Sequence, residues 1–108
     1  MDEETAVKAK ESNLSETTQR MAALTMDLIA FAHRVALDEK ASPAEIAALP
    51  KVAAELCVKR VISTEKTNEV VADLFEFAHR VALDKNASPA EIAALPEIVK
   101  VLRDSTWS

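Results

Sequence analysis

The chain has 108 residues, enough for one domain with a modest core, and 49% of them are apolar. It contains no glycine and no strand-like alternation, which excludes glycine-rich phosphate loops and tight β-hairpins and predicts an all-α fold. The net charge of −5 argues against nucleic acid as a partner, because non-specific binding to the phosphate backbone requires a basic surface.

Cysteine content and hydropathy indicate the cellular compartment of the protein. The single cysteine, Cys57, cannot form an intrachain disulfide, which fits a reducing compartment, and we expect it in the core. The N-terminal letters "MDEETAVKAKE" do not follow the plan of a signal peptide. Apolar runs fall short of the ~20 residues that cross a bilayer. We therefore predict a cytoplasmic protein without a membrane partner.

A long internal repeat organises the sequence. Asp27–Leu56 and Asp73–Leu102 share 21 identities in 30 aligned positions, at a spacing of 46 residues. The ten positions before each copy share one identity. Solenoids usually need three or more units, so we predict two tandem helical hairpins packed as a pseudo-twofold four-helix domain. The predicted units are 15–62 and 63–108, one domain over 15–108, after a flexible or frayed acidic segment at 1–14.

Each unit opens with a long helix, predicted at about 15–38 and 64–84. Its apolar residues recur every three or four positions, which is the spacing of one buried helix face. The predicted core consists of Leu28, Phe31, Val35, Ile46, Leu49 and their repeats. In the first long helix the same stripe extends back through Leu24 and Met21 to Leu14.

A second, capped helix follows in each unit. The letters "SPAE" place Ser42 or Ser88 at the N-cap, proline at the first helical position and a glutamate that closes a capping box. Pro50 and Pro96 then fall inside the helix, where we expect a kink or, as the less favoured alternative, a break. Between the units, Ser63 or Thr64 can cap a new helix. Without that cap, one continuous helix would separate the hairpins and favour a swapped dimer.

The long helices carry a second face, almost opposite the predicted core stripe. At 100° per residue this face is apolar in both units, so the long helices are either buried on both sides or meet a partner there. Its residues are Met26, Ile29, His33 and Leu37 in the first unit and Phe75, His79 and Leu83 in the second. We predict these residues as an interface.

Charged residues at equivalent positions have simpler interpretations. Arg34 and Arg80 lie four residues before Asp38 and Asp84, the spacing of solvated i,i+4 salt bridges, with polar contacts to a partner as the alternative. His33 and His79 are two ligands at most and lack a nearby carboxylate at metal-binding spacing, so no metal or other cofactor is predicted.

Catalytic signatures are missing from the sequence, which contains no HExxH, no phosphate loop and no nucleophile–base pair at sensible spacing. We predict a small non-enzymatic interaction or regulatory module, homodimeric or with a protein partner, that uses the outer faces of its long helices. One alternative is a small-molecule binder with an apolar pocket between the units, near the histidines or Trp107. A lower alternative is a DNA-binding regulator with a degenerate helix-turn-helix at 42–61.

Overall fold

The computed structural model describes the backbone of residues 2–107 and the side chains of residues 15–105. Within these bounds the chain is all-helical, as predicted, with no strand. The helices are α1 (Asp2–Leu37), α2 (Pro43–Ala53), α3 (Thr64–Leu83) and α4 (Pro89–Trp107). A π-helical turn, Ala54–Val58, continues α2. The predicted flexibility or fraying of residues 1–14 stays a prediction, because the side chains of this segment lie outside the described residues.

Helix α1 is longer than predicted, since its backbone is helical from Asp2 and not from about residue 15. Every side chain from Ser15 to Leu24 is exposed to solvent. The expectation that Met21 and Leu24 belong to a continuous core stripe is therefore wrong, because no other helix lies over them. Apolar periodicity identifies one face of a helix but not how far along it the partner helices extend.

The two connectors between helices form as the sequence predicts. Ser42 Oγ accepts a hydrogen bond from the backbone N–H of Glu45, whose carboxylate accepts one from the N–H of Ser42. Ser88 and Glu91 make the same two bonds at the start of α4. Each capping box satisfies helix N–H groups that have no partner within the helix.

Both internal prolines are accommodated without ending a helix. Helix α2 continues through Pro50 and α4 through Pro96, so the alternative of a break is wrong. Pro50 is buried whereas Pro96 is exposed, although the nine letters before each proline are the same. Only α2 goes on into a π-helical turn, so the proline alone does not determine the shape of the helix that follows it.

The segment between the units interrupts the helix, which confirms four separate helices. Ser63 is the N-cap of α3, with its hydroxyl accepting from the N–H of Lys66 at 3.2 Å. Three residues earlier Arg60 has a φ of 56°, the left-handed conformation that turns the chain after α2. The alternative of one continuous helix through this segment is therefore wrong.

The helices pack as two hairpins side by side. The first hairpin (α1 and α2) meets the second (α3 and α4) through contacts of α1 with α3 and of α2 with α4. Short connectors make successive helices antiparallel, so α1 runs parallel to α3. We refer to the contact between the hairpins as the internal joint. A pseudo-twofold across it would repeat each contact between equivalent residues of the two hairpins.

The core fills the internal joint and the inside of both hairpins. Of the predicted core residues, Val35, Ile46, Leu49, Leu74, Phe77 and Val81 are buried, and Leu28, Phe31 and Leu95 are partly buried. The expectation for Ile92 is wrong, because Ile92 is 58% exposed while its equivalent Ile46 is 4% exposed. Helix α4 buries its opposite side instead, which carries Ala94 and Ile98, whereas α2 buries the side that carries Ile46.

Among the described residues, none of the helices combines the length and the apolar character needed to span a bilayer.

Candidate interaction surfaces

The face of α1 opposite the predicted core stripe lies partly in the internal joint. His33 Nδ1–H donates to Asp73 Oδ2 on α3 at 2.8 Å, and Ile29 packs against the core. Met26 and Leu37 are exposed. Helix α1 is thus packed on two sides near its C-terminal end. This agrees with the first of the two explanations for this face, burial of the long helix on both sides.

The equivalent face of α3 is open. A pseudo-twofold would pair His79 with Asp27, and the described contacts do not include that pair. His79 is exposed, Phe75 is half exposed, and Leu83 is 82% exposed, the largest fraction among the large hydrophobic residues whose side chains are described. The two copies of the predicted interface therefore occur in different environments.

A surface groove of ≈ 450 Å³ runs beside this open face, between α3 and α4. We call it the α3–α4 groove. Its lining is mainly apolar, with His79 and Arg103 as the polar side chains. The lining residues are Phe75, Ala78, His79 and Ala82 from α3 and Leu95, Val99, Leu102 and Arg103 from α4.

A second groove, of ≈ 500 Å³, lies between α1 and α3. It contains the predicted residues Met26, Ile29 and His33, together with Asp73. It is the hollow between the repeat units where the sequence places a small-molecule pocket. Its walls are largely exposed side chains, so it is a surface depression. The Trp107 side chain, named as another wall of that pocket, lies outside the described residues.

The arginines do not form the predicted i,i+4 pairs with Asp38 and Asp84. Arg34 Nη1 lies 2.7 Å from Glu45 Oε2, and Arg80 Nη1 lies 2.7 Å from Glu91 Oε2. These carboxylates belong to the capping boxes, so each arginine links its long helix to the start of the next helix. Asp38 and Asp84 instead accept hydrogen bonds from backbone N–H groups of the connectors.

Each arginine also lies over an aromatic ring of its own helix, Arg34 at 5.5 Å from the centroid of Phe31 and Arg80 at 5.4 Å from that of Phe77. Arg80 makes one further contact, donating from Nη2 to the backbone oxygen of Ala36 at 3.4 Å. That bond crosses the internal joint. Arg80 therefore connects the two hairpins. Its side chain is 24% exposed, whereas that of Arg34 is 55% exposed.

The aspartates that follow the long helices shape the connectors. Asp38 Oδ1 accepts from the backbone N–H of Lys40, and Asp84 Oδ1 from that of Asn86, each at 2.8 Å. Such bonds stabilise a turn in a chain without glycine. The repeated Asp, Ser, Glu and Arg therefore have a local structural role in both hairpins.

The pKa values of the capping glutamates follow from these bonds. The backbone N–H of Ser42 is the main cause that lowers the pKa of Glu45, and Arg34 lowers it further. For Glu91, the N–H of Ser88 lowers the pKa, partial burial opposes the shift, and Arg80 supports it. Both carboxylates are thereby held ionised.

Cys57 is buried, as predicted, and burial raises the pKa of its thiol to about 11. The thiolate that nucleophilic chemistry requires is thus disfavoured. Beside it, Ser105 Oγ is buried without a hydrogen-bond partner, in a small polar pocket of ≈ 300 Å³ that also contains Thr64 and Thr67. Sequence patterns do not single out Ser105, since its burial depends on how α4 packs in the folded chain.

Groups of three or more side chains that could hold a metal ion do not occur in the described part of the chain.

No model of a known protein family matches this chain, and no match is found among the curated proteins or the solved structures. The surfaces described above are therefore interpreted from their own geometry.

Proposed function

We propose that the chain is a small, non-enzymatic protein-interaction module that associates with itself through the open face of α3 and the α3–α4 groove. The observation that carries the proposal is the exposure of apolar side chains there. Phe75 and Val99 are exposed and line the groove, and Leu83 and Ile92 are exposed on the same two helices. Contiguous exposed apolar surface is typical of protein–protein contact sites.

The rest of the chain supports an interaction role over catalysis. His33, Arg34 and Arg80 contact neighbouring carboxylates, His79 lies at this open edge, and the buried thiol is not activated. For the DNA-binding alternative, a helix-turn-helix at 42–61 needs a turn near Pro50, where α2 is continuous instead. A small apolar ligand in the α3–α4 groove is the second candidate, supported by the groove's apolar lining.

The test is the molar mass in solution as a function of protein concentration. We expect the mass to rise above the 11.7 kDa of the single chain. Phe75→Glu places a charge in the groove and should hold the protein at the mass of one chain. Val61→Glu is the matched control, because Val61 is an exposed apolar residue outside the groove. A wild-type protein that stays at the single-chain mass at all concentrations would rule out self-association and favour the ligand candidate.

A further inference from the structure

The α3–α4 groove is the counterpart of a surface that the first hairpin has already covered. Its four α3 residues follow, by 46 positions, Ile29, Ala32, His33 and Ala36. Its four α4 residues follow, by the same spacing, Leu49, Ala53, Leu56 and Cys57. Six of these eight counterparts are buried in the core that the hairpins share, and Ile29 is partly buried. The groove is thus one side of the internal joint without its cover.

The second hairpin's side of the joint also has an exposed counterpart, which lies on the first hairpin. The second hairpin meets the joint with Val70, Asp73, Phe77 and Arg80 on α3 and with Ala94 and Ile98 on α4. Their counterparts are Leu24, Asp27, Phe31, Arg34, Ala48 and Val52. We call this surface the free α1–α2 face.

Residues of the free α1–α2 face are more exposed than their counterparts on the second hairpin, as expected if no helix covers that face. Leu24 is 49% exposed where its counterpart Val70 is 1% exposed. Arg34 is likewise more exposed than Arg80. The chain therefore carries both halves of one interface, unused, at its two opposite edges.

The polar contacts of the joint could be remade between two chains without any change of residue. His33 bonds to Asp73, and the counterparts of these residues are His79 and Asp27. Arg80 bonds to the carbonyl of Ala36, and the counterparts are Arg34 and Ala82. All four residue types are identical. Local capping explains the repeated Asp, Ser and Glu but not the repeated histidine, which this contact does explain.

Two places where the halves differ are complementary in charge. Arg103 stands in the groove where Cys57 stands in the joint, and Glu55 stands on the first hairpin where Val101 stands on the second. Arg103 and Glu55 thus carry opposite charges on the two surfaces, and Glu55 Oε1 lies 2.8 Å from Lys59 Nζ within the single chain. Charge complementarity of this kind favours association between the two edges over pairing of like edges.

We propose that the chain binds a second copy of itself head to tail, with the α3–α4 groove of one copy receiving the free α1–α2 face of the next. The proposal rests on the proposed self-association and specifies its geometry. The interface is heterologous, since different surfaces meet, so it continues to a third copy unless the rotation closes a ring. The twofold dimer, in which the same surface meets itself, is the alternative.

Two edge variants distinguish these geometries. Ala82→Glu blocks the groove, and Leu24→Glu blocks the free α1–α2 face. Both residues are exposed in the single chain, so helicity by circular dichroism should match the wild type. Asp27→Lys, which reverses the charge that meets His79, is a second blocking variant for the free face. Val61→Glu again serves as the control that should associate like the wild type.

In the head-to-tail arrangement, each edge variant alone stays at the single-chain mass. An equimolar mixture of the two forms a complex of two chains and no more, because one variant retains the groove and the other retains the free face. A twofold dimer gives a different result: Ala82→Glu is monomeric, the free-face variants still dimerise, and mixing restores nothing. That result overturns the head-to-tail geometry and leaves the proposed self-association intact. A wild type that never associates overturns both.

Discussion

Glu45 and Glu91 occupy the same place in two nearly identical connectors but differ in their surroundings. Both close a capping box and both receive an arginine at 2.7 Å. The pair of Arg80 and Glu91 is covered by the first hairpin, and Glu91 itself is buried, whereas the pair of Arg34 and Glu45 lies on the free α1–α2 face. A buried charge that loses its partner is not compensated by water, so the same substitution should have unequal effects.

We expect Glu91→Gln to lower the free energy of unfolding by about 1–3 kcal/mol at neutral pH, the range for leaving a buried polar group without its partner. Glu45→Gln should have a smaller effect, because solvent hydrates Arg34 when its partner is lost. Glutamine keeps the acceptor that a capping box needs, so the difference isolates the ion pair. Urea unfolding of the two variants provides the measurement, and equal losses would show that covering the pair has no energetic consequence.

The pH dependence gives this prediction an independent readout. The pKa of Glu91 is lowered in the folded chain relative to its ordinary value of 4.5. Its ionised form therefore stabilises the fold above that value, and the stabilisation is lost as pH falls through the folded-state pKa. The gap between wild type and Glu91→Gln should close as the pH falls below about 4.5. A gap that persists in acid would indicate that the substitution acts through packing.

At the residue scale the sequence predicted local contacts well and distant ones poorly. Ser42 and Glu45 are three residues apart, so helix geometry alone brings them together. Arg34 and Glu45 meet across a turn, which the i,i+4 rule does not consider. Ile46 and Ile92 have the same neighbours in sequence, and only the position of a hairpin at one end or the other of the stack makes one buried and one exposed.

The end of α2 shows how a helix terminates in a chain without glycine. Lys59 is the C-cap, with a φ of −82°, and the next residue, Arg60, adopts a φ of 56°. Glycine is favoured at this position, because a Cβ atom in the left-handed conformation crowds the neighbouring carbonyl. The turn directs the chain towards the N-cap of α3.

We expect Arg60→Gly to raise the free energy of unfolding by about 1 kcal/mol, since glycine adopts positive φ without a steric cost. Lys59→Gly is the matched control. Its φ is negative, so glycine there should lower stability by roughly 0.5–1 kcal/mol through the entropy of the unfolded chain. Denaturant unfolding of both variants measures the difference. A loss of stability in Arg60→Gly would mean that the contacts of the arginine side chain outweigh the backbone strain.

At the element scale, the capped starts of α2, α3 and α4 were predicted because capping residues act within one turn. The length of α1 was not, since its first part has no apolar face to signal a helix. The direction of the buried faces was also missed in part. Helix α1 contacts both α2 and α3, and its most buried residues are Ala32, Val35 and Ala36, whereas Leu28 and Phe31 of the predicted core are only partly buried.

At the scale of the whole molecule, the packing of the hairpins explains why the sequence repeats its surface letters. A repeat needs the same core positions in each unit, but one face of each unit must also fit the opposite face of its neighbour. His33 and Asp73 belong to different units and different faces, and each has an identical counterpart in the other unit. Apolar spacing alone does not determine how two hairpins pack on each other, because different arrangements bury the same apolar letters.

If the two edges are complementary, the chain should accept a third unit in its middle. Inserting a further copy of residues 17–62 between Ile62 and Ser63 gives a chain of 108 plus 46 residues, with one internal joint added. In the inserted unit the free α1–α2 face meets the first hairpin, and its remaining surface receives α3 and α4. Because each joint buries apolar area, the three-unit chain should be more stable than the natural one.

Urea unfolding followed by circular dichroism tests this expectation. The three-unit chain should unfold in one cooperative transition with a higher urea midpoint. The dependence of its unfolding free energy on urea should be roughly 1.4-fold larger, in proportion to chain length. The matched control carries Leu24→Glu and Asp27→Lys in the inserted copy only, which places two charges in the new joint. The control should unfold at lower urea, in two separate steps. A three-unit chain that itself unfolds in two steps, with the inserted segment melting first, would show that the free face of the first hairpin does not fit the surface it is placed against.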